Sequence, residues 1–317
     1  MALDDASAAV LAELNRIRLK PLQEQTPAEA REQAAAARAQ RPPGPEMASV
    51  RNIRVKAAGG SFPVRVLLPT EHPHAAIVYY HGGGWVLGSI EDHDLLGRTL
   101  AQRTGCAVIL VGYRLAPEYR YPTAVEDAWT ALVWADGHLA DLVGERVPLI
   151  VGGESAGGNL AAVVARRAAQ GDGPQVALQV LIYPVTDCDP GTLSYVDPEN
   201  QALLTAEAMA WFWDHYAPEV DARAHPDASP LRAPNLSGLP PAVVMTAEHD
   251  PLRDEGELYA TRLMKAQVPV RFRRFDGQMH GFFTMVGVLP GCDQAIDYFA
   301  ESVAEQLGID RSAHVSA

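Results

Sequence analysis

Apolar positions follow two textures along the chain, and the change comes near residue 50. Upstream, Leu3, Val10, Leu11, Leu14, Ile17 and Leu19 recur near helical spacing, which predicts a helix over residues 4 to 20. Thr26, Pro27 and Glu29 open a second, Ala-rich helix, which stops before Arg41-Pro42-Pro43-Gly44-Pro45. From Val50 short alternating segments (VRNIRV, FPVRVLL) suit antiparallel edge strands. Beyond them comes a repeating rhythm of apolar strand, Gly-containing loop and helix. The strands expected are AAIVYY (75–80), AVILVGY (107–113), VPLIVGG (147–153), ALQVLIYPV (177–185), PAVVMTA (241–247) and VPVRFRRF (268–275), with helices such as 123–135 and 156–169 between them. Near-continuous apolar strands alternating with helices imply an α/β fold whose central sheet is mostly parallel and covered on both faces.

One stretch interrupts that rhythm. Residues 186–232 begin loop-like, contain the helical LTAEAMAWFWDHYA and return to loop before the next strand, as a helical cap or lid would. The resulting division is 1–45 as N-terminal cap helices, 46–185 and 233–317 as the core, and 186–232 as the cap insertion. No internal repeat is visible.

Composition narrows the partners more than the chemistry. Of 317 residues, 39 are acidic and 26 basic, and the net charge of −13 repels nucleic acid and anionic membrane surfaces, so a neutral small molecule fits best. Cys106, Cys188 and Cys292 are odd in number and widely spaced, which suggests neither a disulfide framework nor a CxxC metal site. The N-terminus is acidic where a signal peptide needs positive charge, and no apolar run approaches a membrane span. A cytoplasmic location is therefore expected.

The chemistry begins at LIVGGESAGGNLAAVVARRA, which reads strand, sharp turn, helix, with Gly153-Glu154-Ser155-Ala156-Gly157 at the turn as G-x-S-x-G. With 26 glycines in the chain the bare pattern is weak, and its context sharpens it. Glycines flank the serine because neighbouring side chains would collide at a turn that lifts Ser155 Oγ above the sheet. The bland alternatives are a turn that only permits close packing, or an anion-binding loop. The latter lacks a Walker lysine, and the second glycine is misplaced for G-x-G-x-x-G.

A second signal is His81-Gly82-Gly83-Gly84-Trp85, directly after the strand AAIVYY. Glycines weaken ordered backbone but let amides face a ligand, so the N–H groups of Gly83, Gly84 and Ala156 are the expected oxyanion hole. A merely flexible loop is the other reading. His81 precedes the loop and is expected to hold it by hydrogen bonding. Trp85 is either a pocket wall or a buried structural ring.

In an α/β-hydrolase fold the order is Ser, then Asp or Glu, then His, each partner following a later strand. Asp250 follows PAVVMTAEH, and Pro251 turns the chain there; Asp254 suits a helix N-terminus or a supporting partner behind the site, while Asp227 and Asp276 are poorly placed. His280 follows VPVRFRRF in the loop Asp276-Gly277-Gln278-Met279-His280-Gly281-Phe282. His72, His74, His138, His215, His225 and His314 read as solvated, whereas His93 and His249 could line the site without doing chemistry. No H-E-x-x-H or Cys/His cluster is present, so no metal is expected. Ser155, His280 and Asp250 would then form a catalytic triad that makes and hydrolyses an acyl-enzyme.

HGGGW, YRLAPE (113–118), GESAGG (153–158), DPLRDEG (250–256) and HGF (280–282) together resemble the hormone-sensitive-lipase-like (family IV) bacterial carboxylesterases of the α/β-hydrolase superfamily, in family order over roughly residues 50 to 305. The resemblance implies hydrolysis of short- to medium-chain acyl esters without a cofactor, a helical cap built from the N-terminal region and an insertion, and a homodimer through the sheet edge. Glu154 departs from the Asp usual in one large subgroup, and its longer arm bears on the bonds that hold the oxyanion loop. Arg114 and Glu118 look structural. The WFW run (Trp211, Phe212, Trp213) and Phe282 and Phe283 beside the base are candidates for the acyl pocket or for helix-core packing. A hormone receptor on the same scaffold, and a peptidase or amidase of the same fold, are the rival readings; the first is disfavoured because His280 is present.

Overall fold

A computed structural model describes residues 2–17, 19–39, 42–171 and 173–309; Arg41 and His314 lie outside the described residues, as do the other positions of 310–317. The chain runs α1 (Asp5–Ile17), α2 (Pro27–Arg38), β1 (Ser49–Ala57), β2 (Gly60–Leu68), β3 (Ala76–Tyr80), α3 (Ile90–Thr104), β4 (Ala107–Val111), α4 (Thr123–Val143), β5 (Leu149–Glu154), α5 (Ala156–Gln170), β6 (Val176–Ile182), α6 (Leu193–Val196), α7 (Ala206–Tyr216), α8 (Val220–Arg223), β7 (Ala242–His249), α9 (Arg253–Lys265), β8 (Val270–Met279) and α10 (Pro290–Leu307). The eight strands form one sheet in the order β1-β2-β4-β3-β5-β6-β7-β8. β1 and β2 form a hairpin, β2 pairs antiparallel with β4, and every other pair is parallel.

Strand periodicity decides which core each side chain enters. Along β3, Ala76, Val78 and Tyr80 join one buried cluster, and Ile77 and Tyr79 join the other across the sheet. The first cluster is completed by residues of α4, α5, α7 and α9, the second by residues of α3 and α10. Because both faces are covered, these strands are apolar throughout rather than alternating. In α5, Leu160, Val163 and Val164 are fully buried, each contributing about 1.5–3 kcal/mol relative to exposure.

The N-terminal helices are tied to both the core and the insertion. Thr26 Oγ1 accepts from the Glu29 amide while Glu29 accepts from the Thr26 amide, the reciprocal cap that starts α2. Arg31 on α2 donates to the carbonyls of Val86 and Ala116 and to Glu118, which fixes the helix against the core. Asp4, just before α1, bonds Gly277 and Gln278 at the end of β8. From the insertion, Trp211 Nε1 donates to the Gln25 carbonyl. No described helix is long and apolar enough to cross a membrane.

Candidate active site

The site is assembled on strand ends. β5 delivers Glu154 and Ser155, and the chain turns at once into α5; Ser155 holds φ 58° and ψ −120°, a strained conformation costing about 1–3 kcal/mol. Its amide donates to the Ile182 carbonyl at 2.9 Å, and its carbonyl accepts from the amides of Asn159 at 3.0 Å and Val185 at 3.2 Å, so the strained residue is pinned on both sides. The flanking glycines are required by space. A Cβ on Gly153 would lie 2.5 Å from the Gly157 carbonyl carbon, and one on Gly157 would lie 2.7 Å from the His81 oxygen.

β7 ends at His249 and β8 at Met279, and the next residues of each strand converge on the serine. His280 Nε2 lies 3.1 Å from Ser155 Oγ, and His280 Nδ1 lies 2.7 Å from Asp250 Oδ2. Asp250 is fully buried and its other oxygen accepts the Leu252 amide at 2.9 Å, which orients the carboxylate toward the ring. The His280 amide donates to the His249 carbonyl, coupling the two strand ends. The sequence-derived trio is thus brought together across 125 and 30 residues of chain. Such a chain of groups can draw a proton from a hydroxyl and hold the resulting imidazolium.

Gly83 and Gly84 line the cavity beside Ser155, with Ala156 buried behind it at the start of α5. The loop turns on itself: the Val86 and Leu87 amides donate to the Gly83 carbonyl. The cavity measures about 350 Å³. Leu203, Leu204, Ala208, Met209 and Phe212 of the insertion line it, as do Leu22, Ala34 and Ala37 of the N-terminal region and Tyr183, Gly281 and Thr284 of the core.

Of the aromatic residues expected at the pocket, only Phe212 lines this cavity, its ring lying directly against Gly84. Trp85 is fully buried, with a left-handed backbone (φ 59°); it stacks on Tyr216 at 4.2 Å and meets Trp213 in a tilted contact at 4.8 Å. Trp211 and Trp213 leave α7 on either side of Phe212 and are taken up by packing, Trp211 against His215 and the Gln25 segment. Phe282 and Phe283 turn into the second core cluster, against Phe275 and Phe299 respectively. Residue spacing held the missed signal: Ala208, Met209 and Phe212 share one face of a helix, and the tryptophans do not. Tyr183, at φ 33° with its ring 4.6 Å from that of His280, was not anticipated; neither were the small residues of α2.

Glu154, His81 and His93 gather around the start of the glycine loop. Glu154 accepts from the Gly82 amide and the Tyr79 hydroxyl, each at 2.5 Å, and lies 2.9 Å from His93 Nε2. Burial raises the affinity of Glu154 for a proton, but His93 and these donors outweigh it and hold the carboxyl below its usual value. His81 Nδ1 lies 2.8 Å from the Gly82 carbonyl, and its ring stacks between Tyr113 and His93. Burial, then the neighbouring charge of His93, brings the His81 ring down to about 4, so it is neutral. His93 lines the cavity; His249 does not, and its Nδ1 faces the Glu199 carbonyl at 3.2 Å. Asp254 caps the start of the 194 segment through the Ser194 amide, and Asp227 is paired with Arg166 and Arg167. Arg114 grips Asp127 through its backbone amide and two guanidinium nitrogens. Among the described residues no group of three or more His, Cys, Asp or Glu is placed to hold a metal ion.

Similarity to known proteins agrees with this architecture. A family model described as the alpha/beta hydrolase fold matches residues 77–284. Carboxylesterase NlhH of Mycobacterium tuberculosis is 39% identical over 238 residues, 74% of this chain and 75% of that protein. Ethyl acetate hydrolase of Pseudomonas putida is 38% identical over 254 residues, 78% of this chain and 80% of that protein. A solved structure of a hyperthermophilic esterase from the archaeon Pyrobaculum calidifontis superposes with a TM-score of 0.89 at 39% identity, covering 96% of this chain and 99% of that one. The chain belongs to the hormone-sensitive-lipase-like family of α/β-hydrolase-fold esterases.

Proposed function

We propose that this chain is a carboxylesterase that hydrolyses short- to medium-chain acyl esters through Ser155, His280 and Asp250. The observation that carries the reading is the unbroken contact from Asp250 through His280 to the Ser155 hydroxyl, at the floor of a cavity walled by Gly83 and Gly84. His280 takes the Ser155 proton as Oγ attacks the ester carbonyl, and Asp250 fixes the ring tautomer and stabilises the imidazolium. The amides of Gly83, Gly84 and Ala156 receive the oxyanion, each such donor being worth about 2.7–4 kcal/mol of transition-state stabilisation. His280 returns its proton to the leaving alkoxide and the alcohol departs; His280 then takes a proton from the attacking water and gives it to Ser155 Oγ as the acid leaves the acyl-enzyme.

The names of the relatives support an ester substrate, and a cavity of about 350 Å³ with a largely aliphatic lining suits a short to medium acyl chain. Residues 1–45 and 186–232 act as the cap over this cavity, a role supported by the lining they contribute. The enzyme works in the cytoplasm, in keeping with its three free cysteines, and as a homodimer through the exposed β8 edge, where Phe272 faces solvent. Purified protein assayed on p-nitrophenyl esters from acetate to palmitate, beside a p-nitroanilide, tests the reading. The expected result is turnover of the shorter esters, little on the amide, and none in Ser155→Ala with its fold intact. Turnover retained in that variant would remove Ser155 from the mechanism.

A further inference from the structure

We propose that His93 is a buried imidazolium paired with Glu154, and that this ion pair clamps both ends of the glycine loop facing Ser155. The inference rests on the hydrolytic reading above for its consequence, though the charge state itself does not.

His93 lies in the first turn of α3. Its Nδ1 is 3.0 Å from the Ser89 carbonyl oxygen and its Nε2 is 2.9 Å from Glu154 Oε1. A carbonyl oxygen can only accept, and a neutral imidazole has a single N–H, so a neutral ring would direct a lone pair at one of these two oxygens. Only the doubly protonated ring satisfies both while Glu154 remains a carboxylate. Glu154 has the surroundings of a carboxylate, because the Gly82 amide and the Tyr79 hydroxyl also donate to it. Burial disfavours the charged ring, but the Glu154 charge and hydrogen bond, the Ser89 carbonyl and Asp92 outweigh it, and the net shift is upward.

The groups around the pair leave the charge on His93. The His81 ring, stacked 5.1 Å away, is neutral; Tyr113 lies beyond it; Tyr183 and Tyr79 are buried phenols on the Glu154 side. Asp92, on the same helix, is paired with Arg38 of α2 at 2.9 Å.

The loop between β3 and α3 begins at His81 and ends at Ser89. At one end Gly82 donates to the same Glu154 oxygen that faces His93; at the other, Ser89 accepts from His93 directly. One ring therefore fastens the two ends of the segment that presents Gly83 and Gly84. His93 touches no reacting atom in this account and acts as a positioning residue.

Two measurements test the proposal. In ¹⁵N-histidine NMR of the intact protein at about pH 8, well above the ordinary histidine value of about 6.5, both ring nitrogens of His93 should carry protons, the signal being assigned by its loss in His93→Gln. A ring with one proton there would overturn the charge assignment. The same signal should persist in Ser155→Ala, which separates this result from the hydrolytic reading. In kinetics, His93→Gln and Glu154→Gln should each lower kcat for p-nitrophenyl butyrate by about 10- to 100-fold, as loss of alignment by roughly an ångström does. KM should stay within about threefold of the parent, because substrate is bound by the cavity walls rather than the loop amides. A kcat within about twofold in both folded variants would reduce the pair to a structural contact and overturn the clamp; if one variant fails to fold, the other and the NMR signal of the parent decide.

Discussion

Gly157→Ala isolates the closeness on which the proposed oxyanion site depends. Gly157 is the second residue of α5, directly beneath the end of β3, and a Cβ there would lie 2.5 Å from the Tyr80 carbonyl carbon and 2.7 Å from the His81 carbonyl oxygen. Both neighbours are backbone, so no side chain can swing aside. Ordinary contact begins near 3.4 Å and the Tyr80 carbonyl oxygen is nearer still than its carbon, so the two segments must part by more than an ångström. Overpacking of this kind costs about 1–3 kcal/mol of stability, which a folded domain of this size tolerates. The catalytic cost is larger. Parting α5 from β3 separates the Ala156 amide from those of Gly83 and Gly84, and if these are the oxyanion donors proposed above, loss of one lowers kcat by about 10²- to 10³-fold. Steady-state kinetics on p-nitrophenyl acetate should therefore show kcat down by about two orders of magnitude with KM changed by only a few-fold, while circular dichroism shows a folded protein. A folded Gly157→Ala enzyme with kcat within about twofold of the parent would refute the reasoning.

Three further expectations follow from the geometry. Glu255 is buried, its Oε1 accepts from the Thr186 and Asp187 amides, and burial pushes its carboxyl well above the ordinary value. Its proton is then held more tightly in the fold than in the unfolded chain, so wild-type stability falls by up to about 1.4 kcal/mol per pH unit above the unfolded value until the folded one is reached; Glu255→Gln should gain on the parent in urea unfolding as pH is raised above the ordinary carboxylate value, and a growing deficit would contradict it. Leu22, Ala34 and Ala37 also line a groove of about 590 Å³ between α1 and α2, so Ala34→Trp should cut kcat/KM for long esters by roughly fourfold per excluded methylene, about 0.8 kcal/mol each, and leave acetate unchanged; a uniform loss across the panel would count against the groove. Trp213→Ala should cost about 3–5 kcal/mol in chemical denaturation without altering chain-length preference, whereas Phe212→Ala should shift that preference, and the opposite pattern would reverse the assignments made from packing.

Local signals proved legible where one short segment carries its own geometry. The strand, the two glycines and the helix around Ser155 are contiguous, and their steric needs are met by neighbours within the motif and the end of β3. His280 and Asp250 could be ranked because each must follow a strand, and residues 241–250 and 268–280 announce their strands by apolar runs. The cavity wall was less legible because it is made by tertiary packing between segments far apart in sequence. Ala34 and Ala37 look like ordinary helix formers until α2 is seen against the mouth. The WFW run stands out by composition, yet successive helical residues point about 100° apart, so its three rings cannot all face the cavity. His93 offered no motif; its importance comes from meeting Glu154 across 61 positions, read from the coordinates.

The separation of the proposed reacting groups from the cavity walls has a consequence for how this scaffold changes. Ser155, Asp250 and His280 stand on the ends of strands locked into one hydrogen-bonded sheet, whereas residues 22–37 and 203–212 are held by side-chain contacts at the periphery. Substitutions in those two stretches can redraw which acids and alcohols are accepted while bond cleavage stays intact, so descendants of this chain can diversify in diet without reinventing their reaction.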